Sequence, residues 1–284
     1  MHKPNRTLAL LRGQLGAWLR SPRTPVLLVL LLMYAATVAP TYGRLIADQF
    51  HTVYFGETVF YYLSMGFTRS PAMLSAAMLL LLSEVPRRTS LQNYLLIRSS
   101  RARWLWSLVL FCLVALILML ILLLAVDLAF TLPHLSPGTG WSDPARAALS
   151  DDPYLARLVP ESVTLSGLTP LTGSLLALGV LIAYWMMFLM MILLCSLLGL
   201  PSLGLMVYFT LFFLHVTVMW EFVPWLYAPA RVSTMLNIIS GTTVRDGIPA
   251  VWRALAGMCG VTCGLMILMF RVVRRAELRF HGRQ

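Results

Sequence analysis

Charged side chains are scarce in this 284-residue chain, and lysine is almost absent. Charged residues make up 12% of the sequence, and Lys3 is the single lysine. A P-loop needs a lysine after its glycine-rich turn to reach the nucleotide phosphates. We therefore expect no ATP hydrolysis by the chain itself. The H-E-x-x-H and G-x-S-x-G signatures are also missing from the sequence, which argues against a zincin protease and an α/β-hydrolase.

Cysteine is rare as well. The four cysteines all fall in apolar runs, where the side chain usually behaves as a small apolar group. Two of them lie one helical turn apart, but no third ligand lies near them in the sequence. No disulfide framework, metal site, catalytic residue or cofactor of the chain's own is therefore expected. The four are Cys112, Cys195, Cys259 and Cys263.

Apolar residues dominate what is there. They make up 59% of the chain, and the mean hydropathy is +0.79, which excludes an ordinary soluble domain. About 20 apolar residues are needed to cross a bilayer, and six runs are candidates. The sequence therefore predicts one all-α, polytopic membrane domain over residues 1–284. The predicted spans are Pro25–Tyr42, a run ending at Leu82 that extends back to Phe60, Trp104–Phe130, Leu175–Leu198, Leu203–Trp220 and Ala254–Phe270.

The basic residues predict the orientation. With both termini in the cytoplasm, fifteen of the 22 bases face inward with only two acids, Glu84 and Glu277. An arginine and lysine excess marks the cytoplasmic side, so the cell membrane is the expected location. Anionic lipid headgroups explain the net charge of +11 better than nucleic acid does. Membrane lipids are therefore expected partners, and nucleic acid is not.

The first 23 residues predict a helix lying in the membrane interface. Leucines and Trp18 line one side of it, and polar residues occupy the other. Ser21-Pro22 ends the helix just before the first span. The apolar side holds Leu8, Leu11, Leu15, Trp18 and Leu19, and the polar side holds Arg12, Gln14 and Arg20.

A basic segment over residues 84–103 lies between the second and third spans. Its Thr89–Gln92 stretch fits a capping box, in which Thr89 and Gln92 satisfy each other's backbone donors. Leu91, Tyr94 and Leu95 follow at helical spacing and form one apolar stripe. The pattern predicts a short capped helix at the membrane surface, which a partner protein could push.

Two outer segments and a cytoplasmic tail complete the predicted organisation. Residues 131–173 form a polar loop with six prolines. Residues 221–249 are too apolar for a free loop and are interrupted by prolines, which favours a re-entrant or interfacial helical hairpin. Residues 271–284 form the basic tail. In the last span, a stripe of Ala256, Gly260 and Gly264 would allow close helix packing, within the chain or between two copies.

Three polar residues at or in the spans are candidates for a substrate pathway: Asp127, His215 and Glu221. Asp127 and Glu221 lie at outer span ends, where a solvated helix terminus is the simpler interpretation. His215 lies deeper, where a hydrogen bond to a neighbouring helix is the simpler interpretation.

The order of these elements resembles the permease subunits of type-two ABC exporters. The resemblance covers nearly the whole chain by topology. By motif it rests on Glu84 through Trp104: Glu84 ends the second span, Arg87-Arg88-Thr89 leads into a coupling helix over Leu91–Ile97, and Ser99-Ser100-Arg101 enters span three. Many family members have glycine before the threonine and an acid soon after it. This chain has Arg88 and Gln92 at those positions, and its outer loop is longer.

The resemblance implies a transport function. A separate ATP-binding cassette subunit, with ATP and magnesium, would move the coupling helix. Two permease chains, identical or related, would then export a hydrophobic or amphipathic substrate. The arginines could pair with acids of the ATPase or hold lipid phosphate. The implied coupling residues are Glu84, Arg87, Arg88, Thr89, Leu91, Gln92, Tyr94, Leu95, Arg98 and Arg101.

The alternative is a polytopic protein without an ATPase, either a scaffold or a secondary carrier. A carrier should place ionisable groups near the membrane midplane, and His215 is the one candidate for such a group in the sequence. An intramembrane enzyme is a third interpretation, which the missing catalytic motifs disfavour.

Overall fold

The computed structural model describes residues 6–30, 32–33, 53–59, 63, 100–138, 140–141, 169–216 and 247–275. Most of these residues are helical, as the composition predicts. The helices are α1 (Arg6–Leu19), α2 (Arg101–Thr131), α3 (Pro170–Leu197), α4 (Pro201–Val216) and α5 (Gly247–Arg275), and two short strands, β1 (Val53–Tyr54) and β2 (Leu135–Ser136), pair in parallel. Residues 23–30 and 32–33, in the first predicted span, are helical as well.

Three of the described helices are long and apolar enough to cross a membrane. They cover Arg101–Val126, Pro170–Leu197 and Leu255–Arg274. These ranges coincide with the third, fourth and sixth predicted spans. The fifth predicted span is represented by the 16 residues of α4, and nearly all of the second lies outside the described residues. The structure therefore has the helices of a membrane protein.

The helix boundaries follow from local backbone chemistry. Thr169 caps α3 by accepting a hydrogen bond from the Thr172 N–H at 3.3 Å, and Pro170 occupies the first helical position. At the other end, Gly199 has a φ of 82°, a left-handed conformation in which glycine lacks the Cβ clash. Leu200 N–H donates to the Cys195 carbonyl at 2.9 Å. This Schellman arrangement ends α3.

The turn after α3 is short, and α4 begins at once with Pro201. Gly204 allows α4 to approach α3 closely, because a Cβ at that position would lie 2.9 Å from the Cys195 Cβ and 3.2 Å from the Ile192 Cα. Tyr208 then reaches the aromatic side chains of α3, with its ring centroid 5.4 Å from that of Phe188 and nearly perpendicular to it.

Helix α3 lies at the centre of the described bundle and contacts α2, α4 and α5. Most of the side chains buried between these helices are apolar. Its largest fully buried side chains are Leu105, Leu108, Leu116, Leu181, Leu189, Met190, Leu193 and Met258.

The helices alternate in direction. The start of α2 lies against the end of α5, since Arg101 contacts the main chain at Val273 and Arg274. The end of α2 leads into β2, which pairs with β1. The turn after β1 contacts the start of α3, so the start of α3 lies near the end of α2. With the short turn between α3 and α4, the four helices α2 to α5 run alternately up and down the bundle.

Several element boundaries differ from the sequence expectations. Helix α5 begins at Gly247, within the outer segment predicted over 221–249, and α3 begins at Pro170, within the loop predicted over 131–173. Isolated prolines explain both differences. Pro170 and Pro249 read as helix breakers in a sequence, but proline is well tolerated in the first turn of a helix.

Candidate functional site: a basic joint of three helices

The site begins at the first turn of α2. Ser100 is the N-cap of this helix, with extended backbone angles, and its hydroxyl accepts a hydrogen bond from the Arg103 N–H at 3.4 Å. A cap of this kind satisfies a backbone donor that has no partner inside the helix. The Ser99-Ser100-Arg101 turn predicted to lead into span three is therefore the point where α2 starts, directly after the predicted coupling segment.

Arg101 joins this first turn to the end of α5. Its guanidinium donates hydrogen bonds to the carbonyl oxygens of Val273 and Arg274, each at 3.5 Å. Carbonyls in the last turn of a helix lack partners within it and carry partial negative charge, so a cation stabilises them. One helical turn further along, the rings of Trp106 and Phe270 lie 5.5 Å apart between centroids. The start of α2 and the end of α5 are therefore in direct contact.

Helix α1 packs on the same part of α2. Gln14 Nε2 donates to Ser107 Oγ at 3.2 Å, and Ser107 Oγ donates in turn to the Trp104 carbonyl at 2.7 Å. One turn along both helices, Trp18 meets Phe111 edge-on, with 6.2 Å between ring centroids. Because both contacts advance by four residues, α1 follows α2 over this turn. We call the contact region of α1, residues 100–111 and the last turn of α5 the basic joint.

The predicted apolar side of α1 is divided between a contact with α2 and the surface of the protein. Leu11 and Trp18 are buried, and Leu8 and Leu19 are 56% and 61% exposed. Gln14, assigned to the polar side, lies instead in the contact with α2, and its Oε1 is buried without a hydrogen-bond partner among the described residues. The face that meets α2 is thus rotated relative to the predicted one.

Positive charge covers the joint. Seven arginine side chains on its three helices and on the bend after α1 are exposed. The described chain contains two acidic residues, Glu57 and Asp127, and both lie toward the opposite end of the bundle. The joint therefore presents a surface suited to anionic groups. The exposed arginines are Arg12, Arg20, Arg23, Arg101, Arg103, Arg271 and Arg274.

The structure describes three of the thirteen predicted site residues, and only one of them, Arg101, with its side chain. Arg101 lies in the joint. Asp127 lies near the end of α2, and His215 lies in α4. For both residues the backbone alone is described. Glu221 lies outside the described residues. So do the remaining coupling residues: Glu84, Arg87, Arg88, Thr89, Leu91, Gln92, Tyr94, Leu95 and Arg98.

Sequence reasoning missed Ser107 as a residue of the joint. The signal available was a serine inside a long apolar run, three residues after Trp104. That spacing lets a hydroxyl bond back to the preceding turn, as Ser107 does. The second partner, Gln14, comes from 93 positions away, and no local pattern indicates such a contact.

Metal-ligating residues and cysteines are spread over the part of the chain that is described. It contains no group of three or more histidine, cysteine or acidic residues that could hold a metal ion. All four cysteines are free thiols: Cys112 is buried, Cys195 is half-buried, and Cys259 and Cys263 are exposed on α5.

Comparison of the chain with protein-family models, with curated proteins and with solved structures finds no match.

Proposed function

We propose that the chain is the membrane-spanning permease subunit of an ATP-driven ABC exporter, moving a hydrophobic or amphipathic substrate out of the cell with a separate ATP-binding subunit. In this proposal the chain has six spans and an N-terminal helix, both termini are cytoplasmic, and the membrane is the plasma membrane. A second permease chain, identical or related, completes the pathway.

The observation that carries the proposal is the basic joint. The predicted coupling segment, residues 84–103, overlaps the Ser100 cap and the first turn of α2, and its predicted coupling helix, Leu91–Ile97, directly precedes them. Any displacement of that segment therefore reaches the first turn of α2, which is bonded to α5 through Arg101 and to α1 through Ser107. A push on one short segment would move three helices together, which is the mechanical task of a permease.

The alternating helices support the same proposal. Helices α2 and α5 meet at the end that carries the exposed arginines, and both described acids lie toward the other end. This distribution matches the positive-inside asymmetry. It would place the joint at the cytoplasmic surface, where an ATPase could reach it.

A mild-detergent purification of the tagged chain from its native cells tests the proposal. Mass spectrometry of the purified material should find an ATP-binding protein in stoichiometric amount. Without such a partner, in a chain that remains folded and membrane-bound, the ATPase-free scaffold or carrier would replace the exporter.

Matched charge reversals locate the partner's contact. Arg87→Glu with Arg88→Glu should release the ATP-binding protein, since the two arginines lie in the predicted coupling segment. Arg146→Glu with Arg157→Glu changes the net charge equally in the predicted outer loop and should leave the complex intact. Equal loss in both variants would indicate that overall charge, rather than the coupling segment, holds the partner.

A further inference from the structure

Three chain segments that are far apart in sequence meet at the end of the bundle opposite the basic joint. Strand β1 pairs in parallel with β2, so that Val53 lies opposite Leu135 and Tyr54 opposite Ser136. The turn after β1, residues 55–59, lies against the first turn of α3. We call residues 53–58, 135–138 and 170–174 the outer clasp.

The contact with α3 depends on Ser174 and Gly56. The Ser174 hydroxyl lies within hydrogen-bond distance of two carbonyl oxygens, 2.9 Å from that of Gly56 and 2.8 Å from that of Pro170. A Cβ at Gly56 would lie 3.1 Å from the Leu171 nitrogen. The turn can therefore approach α3 this closely because residue 56 has no side chain.

The contact with β2 depends on Tyr54. Gly138 lies so close beneath its ring that a Cβ at this glycine would collide with three ring carbons. The Tyr54 backbone is held by its own turn: its N–H donates to Glu57 Oε2 at 3.4 Å, and its carbonyl accepts from Thr58 Oγ1 at 3.1 Å. Glu57 and Thr58 are fully buried. Tyr54 thus links the turn to the chain that follows α2.

The clasp is held differently from the bundle beneath it. Each strand contributes two residues, and so short a pairing is marginal on its own. The ties are polar and mostly involve the main chain, whereas α2, α3 and α5 are joined by buried apolar side chains. The neighbouring core side chains, Val59, Leu63 and Trp141, lie outside the clasp itself. The polar ties of the clasp can therefore open while these side chains and the helices stay packed.

We propose that the outer clasp is the external gate of the transport pathway, closed in this structure and opening to release substrate. The role of this gate rests on the proposed export function. The clasp joins the ends of α2 and α3 that would face outward. Its opening, however, is a property of the chain that can be measured without any partner.

Amide hydrogen exchange of the chain in lipid nanodiscs tests whether the clasp opens. The amides of residues 53–58 and 135–138 should exchange at least about tenfold faster than those in the middle of α3, because they open locally while the bundle does not. If these amides exchanged as slowly as those of α3, the clasp would not open, and the gate proposal would be overturned.

A pair of glycine variants tests which contact holds the outer clasp closed. Gly138→Ala should accelerate exchange of the clasp amides, since the Tyr54 ring must move to admit the Cβ. Gly140→Ala is the matched control, because nothing lies within 4 Å of a Cβ there. Equal exchange in the two variants would overturn the assignment of Tyr54 and Gly138 as the closing contact.

A cysteine pair tests the role of opening in transport. Tyr54→Cys with Ser136→Cys places two thiols at a paired position of the strands, and oxidation should join them. With the co-purified ATPase, Mg-ATP hydrolysis should fall several-fold on oxidation and recover on reduction, while oxidation should not change hydrolysis by the single Ser136→Cys variant. Full hydrolysis by a completely cross-linked complex overturns the gate. Lack of an ATP-hydrolysing partner overturns the export function instead, and the exchange rates still decide whether the clasp opens.

Discussion

Arg101 and Arg103 lie two residues apart at the start of α2, and both side chains are exposed. Their surroundings differ. The Arg101 guanidinium reaches two carbonyls of α5, whereas no hydrogen bond or ion pair of the Arg103 side chain occurs among the described residues. The pair therefore separates the effect of a helix-to-helix contact from the effect of charge at the same surface.

Arg101→Gln should loosen the last turn of α5. Two long hydrogen bonds from an exposed cation contribute about 1 kcal/mol, which corresponds to roughly fivefold faster amide exchange over residues 270–275. Arg103→Gln removes the same charge and should leave that exchange unchanged. Mass-spectrometric hydrogen exchange measures both. Equal acceleration in the two variants would assign the effect to charge and not to the contact with α5.

Gln14 and Ser107 allow a second comparison at the residue scale. Ser107→Ala leaves the Gln14 amide without its acceptor inside the α1–α2 contact, which should weaken the docking of α1 by about 1 kcal/mol. Gln14→Leu removes both polar atoms of the amide, including the buried Oε1, and should be neutral or stabilising. Limited proteolysis within α1 reports the docking. Faster cleavage of Gln14→Leu than of Ser107→Ala would contradict this account.

At the scale of elements, the spacing between α3 and α4 depends on Gly204. Gly204→Ala should destabilise the pair by about 1–3 kcal/mol, because the new methyl group meets the backbone at Ile192 and the Cβ of Cys195. Gly179→Ala, in α3, meets nothing within 4 Å and should stabilise the helix by up to about 1 kcal/mol. Thermal unfolding in detergent should therefore move in opposite directions for the two variants. A fall of similar size in both would show that helix spacing is not the cause.

The elements that the sequence predicted well are those set by local patterns. Helices α2, α3 and α5 follow from apolar runs long enough to span a bilayer, and the start of α2 follows from the Ser99-Ser100-Arg101 turn. What could not be predicted depends on distant partners. Strand β1 forms by pairing with Leu135–Ser136. A strand of two residues is too short to show an alternating pattern of apolar and polar residues in the sequence. The face of α1 that is buried is decided by Ser107 and Phe111 on another helix.

At the scale of the whole molecule, two polar regions lie at opposite ends of an apolar bundle. The basic joint connects α1, α2 and α5, and the outer clasp connects the far ends of α2 and α3 to the turn after β1. The joint includes the first turns of α2, whose 31 residues extend about 46 Å, and the clasp strand β2 begins four residues after α2 ends. In the proposed mechanism, a single helix therefore runs from the joint, where a partner would push, nearly to the clasp, where the chain would open, and it would carry movement from one end to the other.

This arrangement predicts a definite orientation in the membrane. Arg12 lies on α1 at the joint, and Pro137 directly follows β2 at the clasp; both are exposed. A membrane-impermeant maleimide added to intact cells should label Pro137→Cys and should leave Arg12→Cys unlabelled until the cells are opened. Labelling of the unaltered chain gives the contribution of its four native cysteines, which is subtracted. The reverse pattern, with Arg12→Cys labelled from outside and Pro137→Cys protected, would invert the orientation. The exposed arginines would then face outward, away from any cytoplasmic ATPase, and the exporter mechanism would fail with the orientation on which it depends.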